Sequence, residues 1–151
     1  RLARLLVERR RAAPIRSAAE LLAAVREARV GGGRRHHPAT LVFQALRIAV
    51  NDELAALREG LEAGVEALRA GGRLAVIAYH SLEDRVVKHQ FREEQRGCVC
   101  PPRLPVCVCG HTARLRALTR RSLTPGSEEI RANPRARSAR LRAATRLPEV
   151  A

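Results

Sequence analysis

Apolar residues recur at helical spacing through most of the first half of the chain. The segment "RLARLLVERRRAAP" has leucines three and four positions apart and predicts a helix that ends before Pro14. A second helix is predicted in "IRSAAELLAAVREARV", where Ser17 and Glu20 have the spacing of a capping box. The three glycines of "GGGRRHHP" follow no strand, so we interpret Gly31 to Gly33 as a flexible connector rather than a phosphate-binding loop.

The longest apolar stripe predicts one continuous helix over about residues 38–69. Its members are three or four positions apart, as on one face of a helix. They are Phe43, Leu46, Val50, Leu54, Leu57, Leu61, Val65 and Leu68. Asn51 and Asp52 interrupt this segment with two poor helix formers, which leaves a kink, a solvated polar face or a functional role open. Two glycines at 71–72 end the helix.

A short apolar run, "LAVIA" at 74–78, predicts a strand that stops at "YHSLEDR". Ser81 and Asp84 fit the capping box of a following helix, which continues until Gly97. His80 therefore stands at the carboxyl end of the strand, where open α/β sheets bind their ligands. A purely structural histidine is the other interpretation, and position alone does not decide between them.

Two later segments alternate arginine with smaller or apolar residues. "RLRALTRRSL" (114–123) and "ARLRAATRL" (139–147) predict two strands in a hairpin-like pair, joined by a long excursion that contains "NPRARS". The resulting order of helix, strand, helix, strand, strand predicts an α/β fold. It is typical of the back half of a doubly wound sheet.

Charge adds a class of partner to this picture. The 151 residues carry a formal charge of +14, and Lys88 is the only lysine among 29 basic residues. Arginine suits phosphate because its planar group donates two hydrogen bonds at once, although a GC-rich genome would also favour arginine over lysine. The excess charge favours a polyanion, most simply nucleic acid. No apolar run approaches the roughly 20 residues of a membrane span, so we expect a cytoplasmic protein with no membrane partner.

Four cysteines form two close pairs, one on each side of a proline-containing segment. Cys98 and Cys100 precede it, Cys107 and Cys109 follow it, and His111 lies just beyond. Two facing pairs provide four thiolates for a tetrahedral zinc ion, although C-x-x-C is the commoner spacing. Reduced thiols that pack a loop are an equally simple interpretation, and a cytosolic setting disfavours disulfides. A zinc site at this position would be structural, and it stays open beside the other two possibilities.

Three longer segments together resemble one enzyme family. They are "HPATLVFQALRIAVNDEL" (37–54), "GGRLAVIAYHSLEDRVVK" (71–88) and "NPRARSARLR" (133–142). The cysteine segment "CVCPPRLPVCVCG" also looks like a form found in many members. These segments are similar to the bacterial 16S rRNA cytosine-N4 methyltransferases, the MraW-like family.

The resemblance implies a fold and a domain organisation. The fold is the C-terminal half of the Rossmann-like sheet of a class I methyltransferase. Enzymes of this class use S-adenosylmethionine (AdoMet). Residues 1–33 would be the end of a small all-α insertion domain. Residues 34–151 would be the C-terminal part of the methyltransferase domain, with a Cys-rich loop at 97–111. The chain has no methionine and begins inside a helical pattern, so we expect a fragment of a longer protein.

The activity that the resemblance implies is N4-methylation of a cytidine in the decoding region of 16S rRNA, within the small ribosomal subunit. The family's glycine-rich AdoMet loop and its ribose-binding acidic residue precede the insertion, and nothing here matches them. We therefore expect AdoMet to be bound upstream of Arg1, and this chain alone to be inactive. The candidates for lining the substrate pocket, none of them assigned as catalytic, are His80, Ser81, Glu83, Asn51 and Asp52.

Contacts to RNA phosphates are expected from the arginine-rich segments. The candidates are Arg114, Arg116, Arg120, Arg121, Arg135 and Arg137. With only Phe43, Phe91 and Tyr79 as aromatic residues, recognition by successive base stacking is disfavoured. The alternative function is a non-enzymatic RNA-binding module stapled by a four-cysteine zinc site. The sequence does not indicate an oligomeric state.

Overall fold

The computed structural model describes residues 1–30, 37–101 and 104–148. The chain divides after Glu53 into two compact units. The first contains helices α1 (Leu2–Ala12), α2 (Ala18–Glu27) and α3 (Pro38–Asn51). Helix α4 (Glu53–Ala67) begins at the boundary and leads into the second unit.

The two short N-terminal helices form as the apolar spacing predicts. Helix α2 starts at Ser17, whose Oγ accepts a hydrogen bond of 3.2 Å from the backbone N–H of Glu20. The Glu20 carboxylate accepts from the backbone N–H of Arg16 at 2.8 Å, and this bond lowers the pKa of that carboxyl. An ion pair between Arg9 and Glu27 joins α1 to α2. The predicted connector at Gly31–Gly33 lies outside the described residues.

The prediction of a single long helix over 38–69 is wrong, because the helix is interrupted at Asp52. That residue has φ 49° and ψ 40°, in the left-handed region, and its N–H donates to the carbonyl of Ile48 to end α3. Aspartate tolerates this conformation better than most residues do. A break of one residue leaves the spacing of the apolar positions unchanged, so the stripe alone did not reveal it.

The second unit contains a three-stranded sheet. Strands β1 (Arg73–Ala78), β2 (Leu115–Ala117) and β3 (Arg140–Arg146) lie in the order β1-β3-β2, and both neighbouring pairs are antiparallel. The three strands and the pairing of β2 with β3 agree with the sequence prediction. No hydrogen-bonded pair of parallel strands occurs among the described residues, because β3 lies between β1 and β2 and is antiparallel to both. The fold is mixed α/β.

The core of this unit lies between the sheet and helices α4 and α5 (Ser81–Glu94). It is built from Leu61, Val65, Val87, Phe91, Leu115 and Ala144, all nearly inaccessible to solvent. Along β1, Leu74 and Val76 pack against this core, and Ile77 on the opposite face is 54% exposed. Successive side chains of a strand point to opposite faces of the sheet, so Leu74 and Val76 lie on the covered face and Ile77 lies on the other.

The remaining described elements lead back to the sheet. A short helix α6 (Ser127–Ala132) and a 3-10 helix (Pro134–Ser138) precede β3. Throughout the described ranges, every helix is too short or too polar to cross a membrane.

Candidate functional site

The turn from β1 into α5 is organised by a reciprocal pair of hydrogen bonds. His80 is the N-cap, and its Nδ1 accepts from the backbone N–H of Glu83 at 3.3 Å. In return the Glu83 carboxylate accepts from the backbone N–H groups of His80 at 3.2 Å and Tyr79 at 2.9 Å. The predicted box of Ser81 and Asp84 is therefore wrong by one residue. The histidine ring nitrogen takes the part that a serine hydroxyl usually has.

This shift leaves Asp84 available for a different partner. Its two carboxylate oxygens accept from Nε and Nη2 of Arg142 on β3, at 2.7 and 3.1 Å. Both side chains are largely buried, at 13% and 16% exposure. A bidentate pair of this kind fixes the first turn of α5 against the middle strand. The sequence analysis missed this pair, because 58 positions separate its members.

The strand-end residues differ in what they offer to a ligand. His80 uses Nδ1 as an acceptor, so the hydrogen of its neutral ring lies on Nε2. That Nε2 is buried 3.2 Å from a carboxylate oxygen of Glu83, without the alignment of a hydrogen bond. Ser81 and Tyr79 are exposed, the latter at 57%. His80 and Glu83 therefore hold the backbone turn, whereas the exposed hydroxyls of Ser81 and Tyr79 face solvent.

Asn51 and Asp52 lie at the end of α3 in the first unit, whereas the strand-end residues belong to the second. The amide Nδ2 of Asn51 donates to Glu53 at 3.3 Å, and Arg47 donates to both oxygens of the same carboxylate at 2.7 and 3.1 Å. Asp52 provides the left-handed residue that ends the helix. The kink that we kept open for these two residues is present.

The six arginine candidates fall into two groups. Arg114 donates to both carboxylate oxygens of Glu94, at 2.7 and 2.6 Å, and these bonds raise the pKa of the guanidinium above its already high value. Glu94 is only 6% exposed, so this pair joins α5 to β2 inside the unit. The other five are exposed and are Arg116, Arg120, Arg121, Arg135 and Arg137.

The "NPRARS" segment forms a compact turn that presents two of these arginines. Asn133 Oδ1 accepts from the backbone N–H of Arg135 at 3.1 Å, which caps the 3-10 helix. Ala136 is buried beneath the turn, so Arg135 and Arg137 project on either side of it. The turn is thus anchored by a small apolar residue and leaves both guanidinium groups accessible.

The four cysteines converge as the two-pair spacing predicted. Their sulfur atoms all lie within 4.8 Å of one another, and none is in a disulfide. The closest approaches are 3.5 Å from Cys98 to Cys107 and from Cys107 to Cys109. Cys98 to Cys109 measures 3.8 Å, and Cys100 to Cys107 measures 3.9 Å.

The thiols of this cluster differ in acidity. Hydrogen bonds from the backbone N–H groups of Val99 and His111 lower the pKa of Cys109 to about 6. The N–H of Cys100 acts in the same direction on Cys98, but the neighbouring thiols outweigh it and raise the pKa of Cys98 to about 12.

Comparison with known proteins gives a consistent result. The sequence profile of the MraW methylase family matches residues 1–147. A protein of Thermomicrobium roseum named ribosomal RNA small subunit methyltransferase H is 60% identical over 97% of this chain and 45% of its own length. Proteins with the same name are 52% identical in Heliobacterium modesticaldum (97% of this chain, 48% of theirs) and 62% identical in Trichlorobacter lovleyi (75% and 36%). The chain spans less than half the length of these relatives.

Proposed function

The chain belongs to the MraW methylase family, and on this basis we propose that the full-length protein methylates N4 of a cytidine in the decoding region of 16S rRNA. AdoMet is the methyl donor in this proposal, and the small ribosomal subunit in the cytoplasm is the substrate. The observation that carries the proposal is the match to the family over residues 1–147, together with relatives named as rRNA small subunit methyltransferases.

We assign the sheet to the C-terminal half of a Rossmann-like methyltransferase sheet. Two observations support this assignment. The edge of β1 away from β3 has no strand partner among the described residues, and Ile77 on the uncovered face is 54% exposed. In this proposal the preceding part of the protein supplies the remaining strands and binds AdoMet. Residues 1–33 are the end of the helical insertion, and residues 34–151 belong to the methyltransferase domain.

The chemistry requires the target base to be flipped out of the RNA stack and held in place. The N4 lone pair of cytosine is delocalised into the ring, so the amine has to be aligned with the methyl sulfonium, and its N–H groups need acceptors. Base flipping also requires a surface on which the unstacked base can lie. The exposed Tyr79 ring and Ser81 hydroxyl provide a stacking surface and a hydrogen-bonding group beside the capped turn. His80 and Glu83 act as positioning residues, since they hold the backbone of that turn.

RNA binding is assigned to the exposed arginines. Arg135 and Arg137 are the strongest candidates, because the capped turn holds their backbone and leaves both side chains in solvent. Arg116, Arg120 and Arg121 are further candidates for phosphate contacts. Arg114 is no longer among them, because Glu94 occupies its guanidinium. We propose zinc, held by the four cysteines, as a second and purely structural cofactor.

Methylation of small subunits tests the proposed activity directly. The full-length protein is incubated with AdoMet and with small subunits from cells that lack this modification, and the rRNA nucleosides are analysed by mass spectrometry. We expect one N4-methylcytidine per subunit. Its absence under conditions in which the protein binds the subunit would refute the enzymatic proposal and favour the non-enzymatic RNA-binding module.

Variants at the strand end separate chemistry from structure. His80→Asn keeps a good N-cap acceptor but removes the ring, whereas His80→Ala removes both and should cost about 1 kcal/mol of stability. If His80 only positions the turn, His80→Asn retains methyl transfer and His80→Ala loses it. Tyr79→Leu should lower methyl transfer without a matching loss of stability, because the ring is exposed. Ser127→Ala, at an exposed position at the start of α6, is the control.

A further inference from the structure

Among the described residues of the cysteine segment, 98–101 and 104–109, none is a buried apolar residue that would hold a loop together. Val99 is 45% exposed, Val106 69% and Val108 79%. The cysteines themselves are exposed or half-buried. The three valines are thus exposed to solvent, whereas the four sulfurs lie close to one another. Packing of reduced thiols against apolar neighbours therefore does not account for the conformation of this segment.

The distances between the sulfurs fit four thiolates around one ion. A disulfide would require about 2.05 Å between two sulfurs, and the closest pairs are at 3.5 Å. In a tetrahedral site with Zn–S bonds of about 2.3 Å, neighbouring sulfurs are about 3.8 Å apart. Four of the six sulfur–sulfur separations run from 3.5 to 3.9 Å and bracket this value, and all six are within 4.8 Å.

One backbone N–H group also contacts the sulfur cluster. The N–H of Cys100 donates to Cys98 Sγ at 3.4 Å. A hydrogen bond from the backbone to a ligand atom helps to orient that ligand. Four thiolates at these distances repel one another unless a cation neutralises them.

From these observations we infer that the four cysteines form a closed, thiolate-only site for a soft four-coordinate divalent ion of the zinc class, and that this ion holds residues 98–101 and 104–109 together. The inference extends the zinc proposal made above and does not depend on methyl transfer. Four protein ligands leave no open coordination position, so the ion has a structural role. The ring of His111 is not part of the sulfur cluster, and the site does not need it.

Metal content and a cobalt spectrum of the full-length protein test this inference. Protein purified without added metal should contain about one zinc per chain, and its four thiols should react with a thiol reagent only after a chelator is added. Replacement by Co²⁺ should give a thiolate-to-metal charge-transfer band. Cys98→Ser and Cys109→Ser should each weaken zinc binding by more than about 100-fold, since even partners of ligands often account for 10- to 100-fold.

His111→Ala and Val106→Ser are the matched controls, because both lie beside the cluster without contributing a sulfur. Both variants should bind zinc as the unmodified protein does. Hydrogen exchange of the amides at 98–109 should increase on metal removal, while that of β3 should change little. Reduced protein that binds neither zinc nor cobalt through sulfur would overturn the inference. So would two disulfides in freshly purified protein, or exchange at 98–109 that is independent of metal.

Discussion

Replacing Arg114 by methionine should destabilise the second unit more than replacing its partner Glu94 by glutamine. The two side chains form one bidentate ion pair, with distances of 2.7 and 2.6 Å. They differ in access to water, since the Arg114 side chain is 36% exposed and that of Glu94 is 7% exposed. The partner that is left behind therefore decides the cost of each substitution.

The structure provides a magnitude for each side of this comparison. Arg114→Met leaves a buried carboxylate whose remaining side-chain bond is the 3.1 Å contact from Gln90, and such an orphaned charge costs about 3–5 kcal/mol. Glu94→Gln keeps an acceptor oxygen and leaves a guanidinium that can move into water. Loss of the charged hydrogen bonds, discounted for this exposure, amounts to about 1–2 kcal/mol.

Urea unfolding of the full-length protein, followed by circular dichroism, measures both variants. The matched control is Arg96→Met, which breaks the 3.0 Å pair with Glu93 at the end of the same helix. Both side chains of that pair are more than half exposed, so the control should lose less than about 1 kcal/mol. A double variant with Glu94→Leu and Arg114→Met should recover much of the loss, because no buried charge is left without a partner.

The opposite order of the two single variants would refute this reasoning. If Glu94→Gln cost as much as Arg114→Met, burial of the orphaned group would not determine the cost. If Arg96→Met cost as much as Arg114→Met, loss of any positive charge near the end of α5 would explain the result instead. A double variant less stable than either single one would show that the pair contributes through its shape rather than its charge.

Three further predictions concern other parts of the chain. Replacing Arg135 and Arg137 together by alanine should weaken RNA binding and reduce the slope of log affinity against log salt by up to about 1.8. Filter binding with the full-length protein measures this slope, and an unchanged slope would assign both arginines to the solvated surface. Gly71→Ala should destabilise the protein by about 1 kcal/mol, because the φ of Gly71 is +79°. Gly60→Ala, inside α4, should stabilise it by about 1 kcal/mol, and neither new methyl group meets an atom within 4 Å. Shifts of the same sign in the thermal unfolding temperatures of the two variants would contradict this prediction. Residues 1–151 alone should release no heat on titration with AdoMet, and clear binding would place the cofactor site within this chain.

Local signals in the sequence were enough to predict most of the elements. The apolar run at 74–78 predicted β1, and Ser17 predicted where α2 begins. At the strand end, however, two overlapping boxes were possible, one from His80 to Glu83 and one from Ser81 to Asp84. Which of them forms depends on Arg142, whose position opposite Asp84 follows from the pairing of β3 with β1. That pairing has no local signal.

Long-range geometry explains what the sequence could not predict in the candidate site. Arg114 looked like a free phosphate contact because its partner Glu94 lies 20 positions earlier on a different element. For the cysteines, the spacing predicted two facing pairs but left zinc, packing and disulfides open. The outward-facing Val106 and Val108, and the separations between the sulfurs, are three-dimensional facts that favour one of these alternatives.

The position of β3 between β1 and β2 has a consequence for the order in which the sheet is made. Residues 79–139 separate β1 from the strand that pairs with it on that side, and the ribosome needs roughly 3–12 s to add a segment of that length. During that interval the N–H and C=O groups on the β3 side of β1 have no strand to pair with, and Leu115 lacks the covering Ala144. The strand synthesised last of the three is the middle one, so the hydrogen bonds of this sheet form only after all three strands have been synthesised.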